Sequence, residues 1–376
     1  MDRYSAIIGT VASGAEMQLA ESAGLDAFLE KRGALNANTI LHIVNTQLRE
    51  FEPLNGYDAE TQNHKPVAVR YAPMHLHKMQ GLEEMRPFCA MCVNGKENRA
   101  GRETKYSQTF VFSRQQMLQG VDGYNYLDML FGTELLSWQT LEQYRNGGMS
   151  LECDSPLRKV TPRIKKSDLT AVLKTVEAIY NWENVAIRLE PGFSFNDRAM
   201  SLLAGIYSLI QPRFAAEVGY ATYQNPAGIA GIVRRNSIRI FVLPAGESLD
   251  KIPENFLILD TAKPSVQLKE SSLTSTLYKW TQIPWEQRQC ATQKLFEEER
   301  DYTDAELFVR KSEAFFSNMS SAEQWNQDPS KEGSFSSLEE LCAEYEAQSG
   351  YGVPWFEQMF RDRIGKLIES IQPWKS

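Results

Sequence analysis

Two of the chain's four histidines and two of its five cysteines fall in one stretch, "HLHKMQGLEEMRPFCAMC". His75 and His77 stand two apart, so on a strand they share a face. Cys89 and Cys92 bracket two residues, the spacing of a zinc knuckle, and Gly95 offers a tight turn behind them. Zinc takes four nitrogen or sulfur ligands around a tetrahedron, and four protein ligands close its shell. A zinc ion held by His75, His77, Cys89 and Cys92 is therefore expected to be structural rather than catalytic. The competing reading is that the histidines decorate a strand and the cysteines are small core residues. A catalytic redox pair is disfavoured, because no thioredoxin-like βαβ pattern surrounds the cysteines.

Other chemistry has less to stand on. The sequence holds no GxxxxGK[ST] and no GxSxG, and "GTVASG" and "GIAGIV" lack the pattern that cradles phosphates. Nothing places a serine or cysteine beside His42, His64, His75 or His77 as a nucleophile pair needs. Glu183 and Glu190 flank "NVAIRL" and read as solvated strand ends. The basic run "RKVTPRIKK", residues 158–166, is the best local candidate for nucleic acid. No aromatic residues interleave with its charges, so it reads instead as a solvated linker.

The elements that must position these residues fall into three regions, expected at 1–154, 155–270 and 271–376. In the first, "YSAIIGTVAS", "PVAVRYAPM" and "YSQTFVFS" read as strands, and "GLDAFLEKRG" and "YLDMLFGTELLSWQTLEQY" as helices. In the second, Ser167 is the expected N-cap of a helix with Leu169, Val172, Leu173, Val176 and Ile179 at helical spacing. A second helix follows Asn196, apolar over more than half its circumference, and ends at Gln211-Pro212. "NVAIRLEPG", "FAAEVGYATY", "SIRIFVLP" and "FLILDT" read as strands. The third region is helical, with capping boxes at Thr303/Glu306 and Ser337/Glu340, and Pro354 in the first turn of the last helix. The expected class is α+β: N-terminal and middle mixed regions with mostly antiparallel strands, then a helical C-terminal region.

The 376 residues are 42% hydrophobic and 23% charged, an ordinary globular composition with material for more than one core. A net charge of −8 argues against broad nucleic-acid binding. The N-terminal "MDRYSAIIGTVASG" does not read as a secretory signal, and no stretch approaches the ~18 apolar residues of a membrane span. An odd number of cysteines makes no disulfide framework, and the cytoplasm is the expected compartment.

Two further stretches carry a resemblance. "RAGRETKYSQTFVF" (99–112) follows "SAIIGTVASGAEMQLAESAGL" (5–25), and "RAMSLLAGIYSLIQPRFAAEVGYATY" spans 198–223. Together they resemble the N-terminal and middle domains of GTPase-associated proteins of bacterial conflict systems. The second is similar to that family's helix with a Leu-Leu pair, then Pro-Arg, then an aromatic and a Thr on a strand. Here these are Leu202, Leu203, Pro212, Arg213, Tyr220 and Thr222. The family's Gly-Asn after the first arginine is replaced within "ETK", and a His common in its polar slot is Gln108.

The resemblance implies a non-enzymatic adaptor or regulatory subunit of an antiviral defence system, acting beside a GTPase or other NTPase and an effector. Arg102 and Gln108 would then read a phosphate or a partner carboxylate, since guanidinium offers a bidentate fork. The competing reading makes Arg102 a solvated turn residue. Two alternatives stay open: a hydrolytic or nucleotide-modifying enzyme, and a zinc-stabilised nucleic-acid-binding module using residues 158–166.

Overall fold

The computed structural model describes residues 4–13, 16–19, 68–73, 85–94, 104–120, 123–132, 157–191, 195–235, 238–263, 271–296 and 304–327. The chain divides into two compact units, Met1–Leu268 and Lys269–Ser376.

In the first unit the strands are β1 (Tyr4–Ser13), β2 (Glu16–Leu19), β3 (Ala68–Tyr71), β4 (Met85–Asn94) and β5 (Thr104–Ser113). Helices α1 (Arg114–Gln119), α2 (Tyr126–Phe131) and α3 (Leu169–Tyr180) follow. Then come β6 (Asn184–Arg188), α4 (Phe195–Tyr207), α5 (Pro212–Ala215) and β7 (Gly219–Thr222). The unit closes with α6 (Ile229–Arg235), β8 (Ile238–Leu243) and β9 (Phe256–Asp260).

The nine strands among the described residues join one sheet in the order β2-β1-β5-β4-β3-β7-β8-β6-β9. β3 to β9 form its mostly parallel half: β3 meets β7 antiparallel, while β7–β8, β8–β6 and β6–β9 are parallel. The fold has helices and a mixed sheet: the run β2-β1-β5-β4-β3-β7 pairs antiparallel, and the expected antiparallel arrangement fails across β7, β8, β6 and β9, which pair parallel. Parallel strands need crossovers and burial on both faces. β8 meets that condition, with five of its six residues buried.

The crossovers explain the layers. The chain moves from β6 past β8 to β7, then back to β8, then past β6 to β9. Crossovers of one hand that move in opposite directions must lie on opposite faces. Accordingly, the Tyr207 ring of α4 lies 5.6 Å from Tyr220 on β7. The next residue, Ala221, packs in a cluster with Ile229 and Ile232 of α6 and with Ile252 from the β8–β9 connection. Adjacent strand residues face opposite sides, so α4 covers one face and α6 the other.

Several of the family-like residues are structural here. Leu202 and Leu203 are buried in α4. Pro212 opens α5 at its first turn, whereas α4 already stops at Tyr207. Tyr220 stacks on Phe131 at 5.7 Å, and the Thr222 hydroxyl accepts the Val69 amide at 2.8 Å, tying β7 to β3.

The basic run is an extended strap on α2. Asp128, fully buried, completes a capping box with Asn125 and accepts the Val160 amide at 2.6 Å. The Lys159 ammonium donates to the Gly123 carbonyl and sits 4.7 Å over the Tyr124 ring. The Arg158 amide donates to Gly132 at 3.0 Å. This contact needs a glycine, because a Cβ on Gly132 would come within 2.1 Å of the Arg158 carbonyl oxygen. Gly132→Ala should cost about 1–3 kcal/mol through this overlap. Chemical denaturation would measure it, and an unchanged midpoint would refute the strap's docking.

The second unit, taken by itself, packs α7 (Ser272–Thr281), α8 (Trp285–Leu295) and α9 (Ala305–Gln327). Ser271 caps α7 by accepting the Thr274 amide at 3.0 Å. At α9 the Asp304 carboxylate accepts the Leu307 amide at 3.0 Å, and the expected Thr303 cap lies outside the described residues. Trp280 is the keystone: it stacks on Phe315 at 5.2 Å, and its indole N–H donates to the Ser312 hydroxyl at 2.9 Å. The expected Ser337/Glu340 and Pro354 features lie outside the described residues. No described helix is long and apolar enough to cross a membrane.

Candidate functional site

β6 and β8 are neighbours, but their outgoing chains leave in opposite directions and onto opposite faces. That divergence opens a crevice at the carboxyl ends of parallel strands, where open α/β sheets bind ligands. A cleft of about 700 Å³ lies there. Leu189, Glu190 and Pro191 line it from the end of β6, and Pro244, Ala245 and Gly246 from the end of β8. The first turn of α4 contributes Phe195, Asp197 and Arg198, and the strap contributes Lys165.

Hydrogen bonds fix the walls. The Leu189 amide donates to the Leu243 carbonyl at 2.9 Å, carrying the ladder one residue past the end of β6. The Glu190 amide donates to the Thr261 hydroxyl at 2.8 Å. Arg188 pairs with Asp260 at 2.5 Å and donates to the Glu247 carbonyl at 3.1 Å, which anchors the loop after β8.

The charged centre is Arg198. Both of its terminal nitrogens donate to the Asp168 carboxylate, and Nη2 also reaches Glu190 Oε1 at 3.4 Å. Asp168 is only 3% exposed. Hydrogen bonding to Asp168 first, outweighing burial, raises the Arg198 pKa above its ordinary value. This pair also explains a correction: Asp168, not Ser167, stands at the α3 N-cap, and its carboxylate makes no cap bond because Arg198 takes it. Behind Phe195, the Tyr223 ring lies at 5.4 Å. Burial, then the charge of Glu247, pushes its hydroxyl up to about 12, so it stays protonated at neutral pH. Its backbone has φ +58, the left-handed region that non-glycine residues rarely occupy. Such strain concentrates at functional sites.

The Arg188–Asp260 pair supplies a pH test. Arg188 first, then the Ala262 amide, holds the Asp260 carboxyl below its ordinary value. A depressed carboxyl pKa stabilises the fold above the unfolded value of about 3.9 and loses that contribution as pH falls through the folded value. Asp260→Asn should therefore cost about 1 kcal/mol at pH 7. Most of the difference should vanish at a pH below that depressed value. Denaturation at the two pH values would reveal it, and an equal gap at both would refute the pairing.

The residues singled out from sequence sit elsewhere. His75, His77 and Arg102 lie outside the described residues. Cys89 and Cys92 are on β4, in register with Thr109 and Tyr106 of β5, and Gln108 on β5 is in register with Ile7 and Ala90. Among the described residues no group of three or more His, Cys, Asp or Glu could hold a metal. The sequence alone does not single out the cleft residues, and by position Glu190 reads only as a solvated strand end. The available signal was turn chemistry after two apolar strands: "EPG" after β6 and "PAG" after β8.

No protein-family model matches the chain, and no curated protein matches it.

Proposed function

We propose that this chain is a ligand-responsive, non-enzymatic adaptor or regulatory subunit of a multi-protein bacterial defence system in the cytoplasm. It works with an NTPase and an effector. The observation that carries the ligand-responsive part is the cleft at the carboxyl ends of β6 and β8, with the Asp168–Arg198 pair at its wall. The setting in a defence system rests on the resemblance of residues 5–25, 99–112 and 198–223. In this reading Arg102 and Gln108 recognise the partner.

The test is affinity purification of the full chain from its native cells, with and without GTP or GDP, read by mass spectrometry. Gly246→Trp serves as the cleft variant, because a Cβ at Gly246 meets nothing within 4 Å. Recovery of an NTPase or effector with the wild type, altered in the variant, supports the proposal. A chain that captures no partner in any nucleotide state refutes it.

A further inference from the structure

We infer that the cleft takes a small organic oxyanion, phosphoryl or carboxylate, and that Glu190 occupies the anion's place until the ligand arrives. The inference rests on the ligand-binding reading above and names the chemistry that the cleft selects.

Arg198 is held from one side and open to exchange on the other. Asp168 grips both terminal nitrogens and is almost wholly buried, so this contact is fixed. Glu190 touches only Nη2, at 3.4 Å, and its side chain is 47% exposed. A long, exposed ion pair contributes little and is easily displaced. An incoming oxyanion can therefore take the Nη2 position at small cost, while Asp168 keeps the guanidinium in place.

Two other features favour the same ligand. Lys165 is exposed on the cleft wall and makes no ion pair among the described residues. The 13-residue α4 begins at the cleft, and a helix N-terminus adds favourable potential for an anion. Opposing these are the carboxylates of Glu190 and Asp197. Asp168 already neutralises Arg198, so with Glu190 in place the carboxylates outnumber the cations; once it swings away, Lys165 and Arg198 balance Asp168 and Asp197, and the helix N-terminus tips the site towards an anion. Phe195, Pro191 and Pro244 supply apolar wall for the ligand's body. A bare inorganic anion would leave that wall unused, so the ligand is an organic molecule carrying the charge at one end.

The test titrates the full chain by calorimetry with phenyl phosphate, benzoate and phenol. These probes share a flat apolar body and differ in the charged end. The expected result is binding of at least one of the two anions and no measurable binding of phenol. The preferred anion then identifies the source as phosphoryl or carboxylate. Glu190→Gln should tighten anion binding about threefold, and Lys165→Ala should weaken it by a similar factor. Gly246→Trp should abolish it. Phenol binding as well as the anions, or Glu190→Gln leaving affinity unchanged or weaker, overturns the inference but leaves the cleft as a ligand site. Absence of binding by all three probes overturns the inference, and the partner-capture experiment then decides the broader reading separately.

Discussion

Asp168→Ala is expected to cost about 3–5 kcal/mol, the range for removing one member of a buried ion pair. Asp168 is 3% exposed and accepts from both terminal nitrogens of Arg198, whose side chain is 16% exposed. Removing the carboxylate strands the guanidinium beside the cleft with only the long contact to Glu190. In a unit of this size the loss should lower the melting temperature by roughly 10 °C. Two companions separate charge from packing. Asp168→Asn keeps the shape and one acceptor, and should lose less. Combining Asp168→Ala with Arg198→Met removes both charges and should recover part of the loss, because a neutral pair has no stranded ion. Urea denaturation of all three variants is the measurement. A single variant as stable as the wild type would mean that the pair does not hold α4 to the start of α3.

Trp280→Ala should be comparably severe in the Lys269–Ser376 unit, at about 3–5 kcal/mol. Trp280 is 1% exposed and, among the described residues, the largest of the fully buried side chains. It stacks on Phe315 at 5.2 Å and meets Phe316 at 4.9 Å, so α7 and α9 share one aromatic cluster. Its loss opens a cavity and leaves the buried Ser312 hydroxyl without the indole donor. Trp280→Phe retains much of the stacking and loses the hydrogen bond, at a cost nearer 1 kcal/mol. Helical circular dichroism followed during heating would report both variants. An alanine variant that melts with the wild type would show that the cluster does not organise this unit.

The sequence marks the elements well where apolar periodicity is strong. Val172, Leu173, Val176 and Ile179 are all buried in α3, as their spacing predicts. "NVAIR", "IRIFVL" and "FLILD" are strands, as read. Their direction was not legible, because direction depends on what the connections do. "IAGIVRR" is α6, the crossover between β7 and β8, and the sequence reading treated it only as a glycine-containing segment. The near-continuous apolar run in β8 was the local sign of a strand covered on both faces.

The cleft was hidden for a related reason. Lys165, Asp168, Glu190 and Arg198 are ordinary surface residues by type, spread over the strap before α3 and the β6–β7 crossover. Only the opposite departures of β6 and β8 bring them around one crevice. Asp168 shows how tertiary contact overrides local preference. An aspartate before a helix suits capping, yet the guanidinium from the next crossover captures its carboxylate. The His75, His77, Cys89 and Cys92 set had the opposite character. Its spacing was conspicuous in sequence, but two of its members lie outside the described residues.

The central claim is that the carboxyl-edge cleft of the first unit holds a small molecule. Its most direct test is equilibrium dialysis of the full-length chain against a metabolite extract of its native cells, followed by mass spectrometry of what the protein retains. The account predicts that the wild type retains at least one compound that Gly246→Trp does not. The same retained set for both proteins would contradict it.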